Sequence, residues 1–226
     1  MTSLYIVSTP IGNLKDITLR ALEIMKSVDF IACEDTRETS KILKTYEIKT
    51  STVSFHQHSA EKDAEKIIER LKSGENGALV TDAGTPNVSD PGAKLIQMAV
   101  QSEITVVPIP GPSALTTAIS ISALDVSKFQ FLGFPPTKKG RQTFFKKLSE
   151  SELTTVIYES THRIVKTFEE IKSVMSDCQI EVFRELTKKF ETIYRGSVQD
   201  ILDEMGSDKM QQKGEFVIIV HKVKSL

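Results

Sequence analysis

The sequence predicts an α/β protein of two domains, the first built on a mostly parallel sheet and the second on a mixed one. In the first half, short apolar runs alternate with amphipathic helical stretches. That is the pattern of crossovers that parallel strands require. Loops rich in glycine and proline follow several of those runs, as in Pro10-Ile11-Gly12, Gly84-Thr85-Pro86 and Pro110-Gly111-Pro112. In the second half, 180–186 and 191–194 read as strands with no helix between them, which implies an antiparallel pair in a mixed sheet. The 226 residues suffice for two small domains. The expected division is 1–117 and 118–226, with the change of character completed over Ser122–Ser127.

Leu4–Val7 is the first strand, and the turn Ser8–Asn13 follows it. A helix over Thr18–Lys26 carries Leu19, Leu22 and Met25 at helical spacing. Val28–Cys33 is the second strand, with Cys33 a small buried hydrophobe. Thr36 is a candidate cap for a helix burying Ile42, Leu43 and Tyr46. Thr52–Phe55 is a short strand, and Ser59 is placed to cap a helix with Ala64, Ile67, Ile68 and Leu71 on one face, stopped by Gly74. Ala78–Val80 is a buried strand opening into Thr81-Asp82-Ala83-Gly84-Thr85-Pro86, the stretch around which the chain is organised. Asp82 and Thr85 there are side chains able to hold a ligand, since open α/β sheets bind ligands beyond their strands' carboxyl ends. Asp90-Pro91 has the form of an N-cap and first helical residue for a helix to about Gln101, and Ile104–Ile109 follows as a strand. Ser113 sits near the start of the next helix. Beyond it, strands are expected near 130–134, 154–158, 180–186, 191–194 and 216–223, and helices near 139–148, 162–175 and 198–205.

Composition narrows the function. Basic and acidic residues nearly balance, 29 against 30, so a nucleic-acid partner needs a local patch rather than a basic protein. The interval Lys128–Leu148 supplies one: Lys128, Lys138, Lys139, Arg141, Lys146 and Lys147, with Phe144 and Phe145 inside it and no acid. The alternative is a solvated helix face with the phenylalanines turned inward. No apolar run is long enough to span a bilayer and the N-terminus has no signal-peptide pattern, so the expected location is the cytoplasm. Two cysteines make neither a disulfide framework nor a cysteine zinc site. His56 and His58 lack a completing ligand cluster in sequence, and no metal is expected. Neither a Gly-x-Gly-x-x-Gly fingerprint, a Walker lysine loop nor a recognisable Ser-His-Asp set is present.

The segments Ser8-Thr9-Pro10-Ile11-Gly12-Asn13-Leu14, Cys33-Glu34-Asp35-Thr36-Arg37, Thr81–Pro86 and Pro110-Gly111-Pro112-Ser113-Ala114 resemble one family. It is the small-subunit ribosomal RNA 2′-O-methyltransferase I family of the tetrapyrrole-methylase superfamily. Tyr158-Glu159-Ser160, Arg184–Lys189 and Lys213-Gly214-Glu215-Phe216 continue the match across essentially the whole chain. The resemblance implies two α/β domains with a cleft between them, S-adenosylmethionine as methyl donor, the 2′-hydroxyl of a cytidine in 16S ribosomal RNA as acceptor, and a homodimer. It assigns Pro10, Gly12, Asp82, Ala83, Gly84, Thr85, Gly111, Ser113, Ala114, Tyr158, Glu159 and Gly214 to the donor. A ribose hydroxyl is a poor nucleophile, so a base or strict alignment must help. Glu34, Asp35, Glu159, Glu185 and a deprotonated Lys188 are the candidates. Other readings are a methylase of tetrapyrrole precursors or a binding protein sensing a nucleotide without chemistry. The chain departs from the family pattern at Thr161, where proline is usual and where threonine is expected to cap the next helix. It also stops at Leu226, short of a further C-terminal region found in many members. The apolar segment 119–124 and the helix before it are expected to form the two-fold interface, or else to pack between the domains.

Overall fold

The computed structural model describes residues 2–56, 60–90, 92–206 and 208–223. The chain divides into two compact units, Met1–Ser113 and Ala114–Leu226. Among the described residues no helix is long and apolar enough to cross a membrane.

The first unit runs β1 (Ser3–Val7), α1 (Leu19–Ser27), β2 (Phe30–Cys33), α2 (Thr36–Thr45), β3 (Ser51–Ser54), α3 (Ala60–Lys72), β4 (Gly77–Val80), α4 (Ala93–Gln101) and β5 (Thr105–Ile109). Its five strands lie in the order β3-β2-β4-β1-β5, and every pairing is parallel. Alternation along the strands divides the core in two. Val7, Ile31, Cys33, Ala78 and Val80 meet Ala21 and Met25 of α1 and Ile42 and Leu43 of α2. Leu4, Phe30, Ala32 and Leu79 meet Ala64, Ile67, Ile68 and Leu71 of α3 and Leu95 and Ala99 of α4. A sheet buried on both faces explains why its strands read as continuous apolar runs.

Several expected details differ. Leu19, placed by its spacing on the inner face of α1, is 79% exposed, and Ala21 and Met25 are the buried residues. The cap of α2 is Asp35, whose carboxylate accepts from the Arg37 N–H, and Thr36 is the first helical residue. Helix α4 starts at Ala93 behind Gly92 with no side-chain cap, so Asp90 does not cap it. Pro91, Ser59 and His58 lie outside the described residues.

The second unit runs α5 (Ala114–Ser120), β6 (Phe129–Phe131), α6 (Arg141–Glu150), β7 (Thr154–Ser160), α7 (Ile164–Val174), β8 (Cys178–Arg184), β9 (Thr192–Gly196), α8 (Val198–Gly206) and β10 (Glu215–Lys222). The strand order is β6-β7-β10-β8-β9. Among the described residues β6 and β7 pair in parallel, and β7–β10, β10–β8 and β8–β9 are antiparallel, so the sheet is mixed as expected. One face buries Ile157, Ile180, Val182, Ile218 and Val220 against Phe145, Phe168, Ile171, Ile201 and their neighbours on α6, α7 and α8.

The other face engages α5 and the segment after it. The Leu115 N–H, one of the unpaired donors at the start of α5, donates to the Tyr158 hydroxyl at 3.0 Å. Downstream, the buried Glu181 carboxylate accepts from the Ala123 N–H, from Arg195 Nε and from the Ser122 hydroxyl. Arg195 also donates to the Ile121 carbonyl. Both ends of α5 are therefore tied to the second sheet, which is the physical reason the unit begins at Ala114.

Candidate functional site

Because the strands of the first sheet are parallel, their carboxyl ends open on one edge, where such sheets bind ligands. The loops after β1, β4 and β5 are laced together there. The Thr9 N–H donates to the Gly84 carbonyl at 2.9 Å, and the Gly84 N–H returns the bond to Thr9 at 3.0 Å. The Thr9 hydroxyl donates to the Thr81 carbonyl at 2.9 Å. Thr85 donates its hydroxyl proton to the Pro112 carbonyl at 3.0 Å, so it accepts from the Ser8 hydroxyl, also at 3.0 Å. Gly84 takes φ +86, and a Cβ on Gly111 would lie 3.0 Å from Ser8 Cβ. These two positions need glycine for the loops to close on one another.

This floor carries Pro10, Gly12, Asp82, Ala83, Gly84, Thr85, Gly111 and Ser113 in one unit. Ala114, Tyr158, Glu159 and Gly214 belong to the other. Within the floor Thr85 bonds its neighbouring loops, whereas Asp82 is exposed. One Asp82 oxygen accepts from the Asp35 N–H at 3.1 Å; the second has no partner among the described residues.

Beside the floor, beyond β2 and β3, opens a cavity of about 400 Å³ lined by Glu34, Asp35, Thr36, Arg37, Ser54, His56 and Asp82. Its carboxylates differ sharply. Asp35 accepts from the Arg37 N–H at 2.8 Å and from its guanidinium at 3.0 and 2.6 Å, which holds it far below the usual carboxylate range. Glu34 is half-buried and makes no hydrogen bond or ion pair among the described residues. Burial pushes its carboxyl up, and the charges of Asp82 and Asp90 add to that. Desolvation likewise raises Asp82, against the bond from Asp35, and raises Asp90.

In the second unit the expected site residues fall into two clusters. Glu159 is buried, with its side chain 0% exposed. One of its oxygens takes the Ser160 N–H and the Arg163 guanidinium, each at 2.8 Å. The other takes the Thr167 hydroxyl at 2.6 Å, with Arg141 3.9 Å away. That is a cross-link between β7 and α7, with the neighbouring α6 drawn in through Arg141. The second cluster joins Thr161, Glu185, Lys188, Gly214 and Glu215. Thr161 does not cap α7, whose N-cap is Arg163 with no side-chain bond. Its hydroxyl instead donates to the Gly214 carbonyl at 3.0 Å and accepts from the Gly214 N–H at 2.7 Å. Gly214 has φ +125, and the space of a Cβ is filled by Glu185, whose Cγ would lie 2.7 Å from it. Lys188 donates to Glu185 at 3.1 Å and to Glu215 at 2.6 Å. Burial lowers the Lys188 ammonium, but the two carboxylates outweigh it and hold the group above its ordinary value, contrary to a deprotonated lysine base. The Lys188 charge and the Glu215 N–H in turn hold Glu185 low against its burial.

The basic interval is also sorted. Lys138, Lys139, Lys146 and Lys147 are exposed, but Arg141 is buried and is withdrawn from the patch. Its guanidinium bonds Glu170, the Thr167 hydroxyl and the Pro136 carbonyl. Phe145 packs in the core, with Phe144 against it. Sequence reasoning missed the Arg141 and Arg163 links to Glu159, the Thr161–Gly214 clasp, and Arg184. That buried guanidinium donates to the carbonyls of Lys213, Phe190 and Met210 at 2.6, 2.9 and 3.0 Å. Tyr158-Glu159-Ser160 stands out in the sequence through the family resemblance, but no local pattern announces partners so distant in sequence.

Comparison with known proteins adds three findings. Residues 3–202 match the tetrapyrrole (corrin/porphyrin) methylase family. Curated relatives named ribosomal RNA small subunit methyltransferase I are similar over nearly the whole chain. The Escherichia coli O157:H7 protein is 44% identical over 96% of this chain and 77% of its own length. Those of Bacillus subtilis and Hydrogenobaculum are each 43% identical, over 97% and 99% of this chain and 75% and 97% of their own. Among solved structures, cobalt precorrin-4 methyltransferase, a cobalamin biosynthetic enzyme, aligns with TM-score 0.71 over 97% of this chain and 94% of its own, at 16% identity. At that identity the likeness concerns the fold.

Proposed function

The chain belongs to the ribosomal RNA small subunit methyltransferase I family, within the tetrapyrrole methylases, and we propose that it transfers a methyl group from S-adenosylmethionine to the 2′-hydroxyl of a cytidine ribose in 16S ribosomal RNA. The observation that carries this reading is identity above 40% across nearly the entire chain with relatives bearing that name.

The residues on the carboxyl edge fit a cationic, nucleoside-bearing donor. Gly84 and Gly111 keep side chains away from the floor, and Asp82 offers on its border a carboxylate oxygen with no partner among the described residues. A positive sulfur or amine beside that oxygen gains a charge-assisted interaction. When bound, S-adenosylmethionine supplies a methyl group already activated by its positive sulfur. Asp82 and the backbone of the Pro10, Gly84 and Gly111 loops hold the donor, and the rigidity of the laced loops aligns it. The exposed lysines at 138, 139, 146 and 147 supply a surface for RNA phosphate.

Incubation with small ribosomal subunits and labelled donor, followed by mass mapping of the RNA, tests the reading; a porphyrinoid acceptor is the counter-arm. Label on a cytidine 2′-oxygen is expected. Label on the porphyrinoid alone, or on no acceptor, refutes it. We further propose a homodimer with 119–124 at its apolar centre, where Ile121 is 41% exposed in the single chain. Light scattering at micromolar concentration is expected to report twice 25.2 kDa.

A further inference from the structure

Glu34, Asp35, Glu159, Glu185 and Lys188 are the five candidates the sequence offers for the base that the poor ribose nucleophile needs, and their surroundings separate them. Glu159 is sealed from solvent with both oxygens engaged. Asp35 is neutralised by Arg37, and Glu185 and Lys188 neutralise each other within a cluster that Glu215 completes. Glu34 alone of the five lines the cavity with a carboxylate that makes no hydrogen bond or ion pair among the described residues. It stands at the carboxyl end of β2, next to the strand that carries Asp82.

We propose that Glu34 is the general base of the methyl transfer, accepting the proton of the ribose 2′-hydroxyl from within this cavity. The inference rests on the ribose-methylating reading above. Glu34 takes the hydroxyl proton as the O–H bond breaks. The oxygen's electron pair forms the new bond to the methyl carbon, and the pair of the broken carbon–sulfur bond stays on sulfur, which becomes a neutral thioether. The proton then leaves Glu34 for water.

The groups facing Glu34 suit this role. Asp82 and Asp90 repel its charge from β4 and the loop beyond, and Asp35 repels it from the start of α2; His56, after β3, opposes them. Arg37 lines the same cavity but is held by Asp35. Burial and these carboxylates raise the proton affinity of Glu34, which makes the ionised form a stronger acceptor than an ordinary glutamate.

The test compares wild type, Glu34→Gln and Glu34→Asp. Single-turnover rates on small subunits, donor affinity by calorimetry, and melting temperature are measured across pH. Glu34→Gln is expected to lose on the order of 10²- to 10⁴-fold in rate, to bind the donor within about twofold of wild type, and to lose the acidic limb of the pH–rate profile. Glu34→Asp is expected to retain that limb. Stability gives a reading independent of activity. A carboxylate whose folded pKa is raised stabilises the fold at low pH and loses that contribution as pH rises through the folded value. Glu34→Gln is therefore expected to match wild type in acid and to melt higher at neutral pH. A wild type inactive on ribose overturns the underlying reading. An active wild type whose Glu34→Gln form keeps its rate and acidic limb, or loses rate together with melting temperature and donor binding, overturns the role of Glu34 alone.

Discussion

Replacing Glu159 with glutamine removes one negative charge from the β7–α7 cross-link while nearly conserving volume. In the native protein Arg163 meets one carboxylate oxygen at 2.8 Å and Arg141 lies 3.9 Å from the other, with Thr167 and the Ser160 N–H completing the shell. Breaking a buried ion pair by removing one partner costs roughly 3–5 kcal/mol. Here the low end applies. Arg141 keeps its bonds to Glu170, and Arg163, 22% exposed, regains some water. With its oxygen toward Ser160 and Arg163 the glutamine turns its NH₂ to the Thr167 hydroxyl, whose own proton then loses the carboxylate that accepted it. About 3 kcal/mol lost corresponds to a melting temperature lower by on the order of 6–12 °C for a chain of this size. Differential scanning calorimetry reads the shift, and calorimetric titration of the donor into the folded variant separates stability from binding. A Glu159→Gln protein that melts like wild type but no longer binds donor would refute the assignment of Glu159 to the scaffold.

Asp82→Ala is expected to weaken donor binding by roughly 1.5–3 kcal/mol, a ten- to hundredfold rise in Kd by calorimetry. Unchanged affinity in a folded variant removes Asp82 from the donor site. Charge reversal at Lys138 and Lys139 together is expected to weaken RNA binding and to reduce the slope of log affinity against log salt by about two, while donor affinity holds. An unchanged slope returns these lysines to a solvated helix approach.

The strands and helices were legible because burial imposes a period on the sequence: alternating strand residues feed two separate cores in the first unit. What the sequence left open were choices between chemically equivalent neighbours and contacts between distant positions. Asp35 and Thr36 are both good caps, and only the extended backbone of Asp35 decides between them. Leu19 fits the apolar stripe of α1 but sits on the first turn, beyond the reach of the sheet. Arg141 reads as one more cation in a basic run until Glu170, 29 positions away, takes it inward. The Gly84 and Gly111 loops announced the loop floor by composition, whereas the absence of a partner for Glu34 among the described residues and the clasp of Thr161 on Gly214 depend on which loops meet. The sequence alone has no term for that.

The anchoring of the stretch after α5 bears on how this protein is divided. Glu181 lies buried in the middle of β8, and three of its bonds come from Ser122, Ala123 and Arg195. A dissection that begins the C-terminal fragment after Ser127, at the expected change of domain, strips away two of those donors and leaves Arg195 as the remaining one of the three. A dissection at Ser113 keeps the whole shell, together with the Leu115 bond to Tyr158. Helix α5 and the stretch after it are thus a staple of the second sheet, and any chimera exchanging C-terminal halves among relatives has to carry them along.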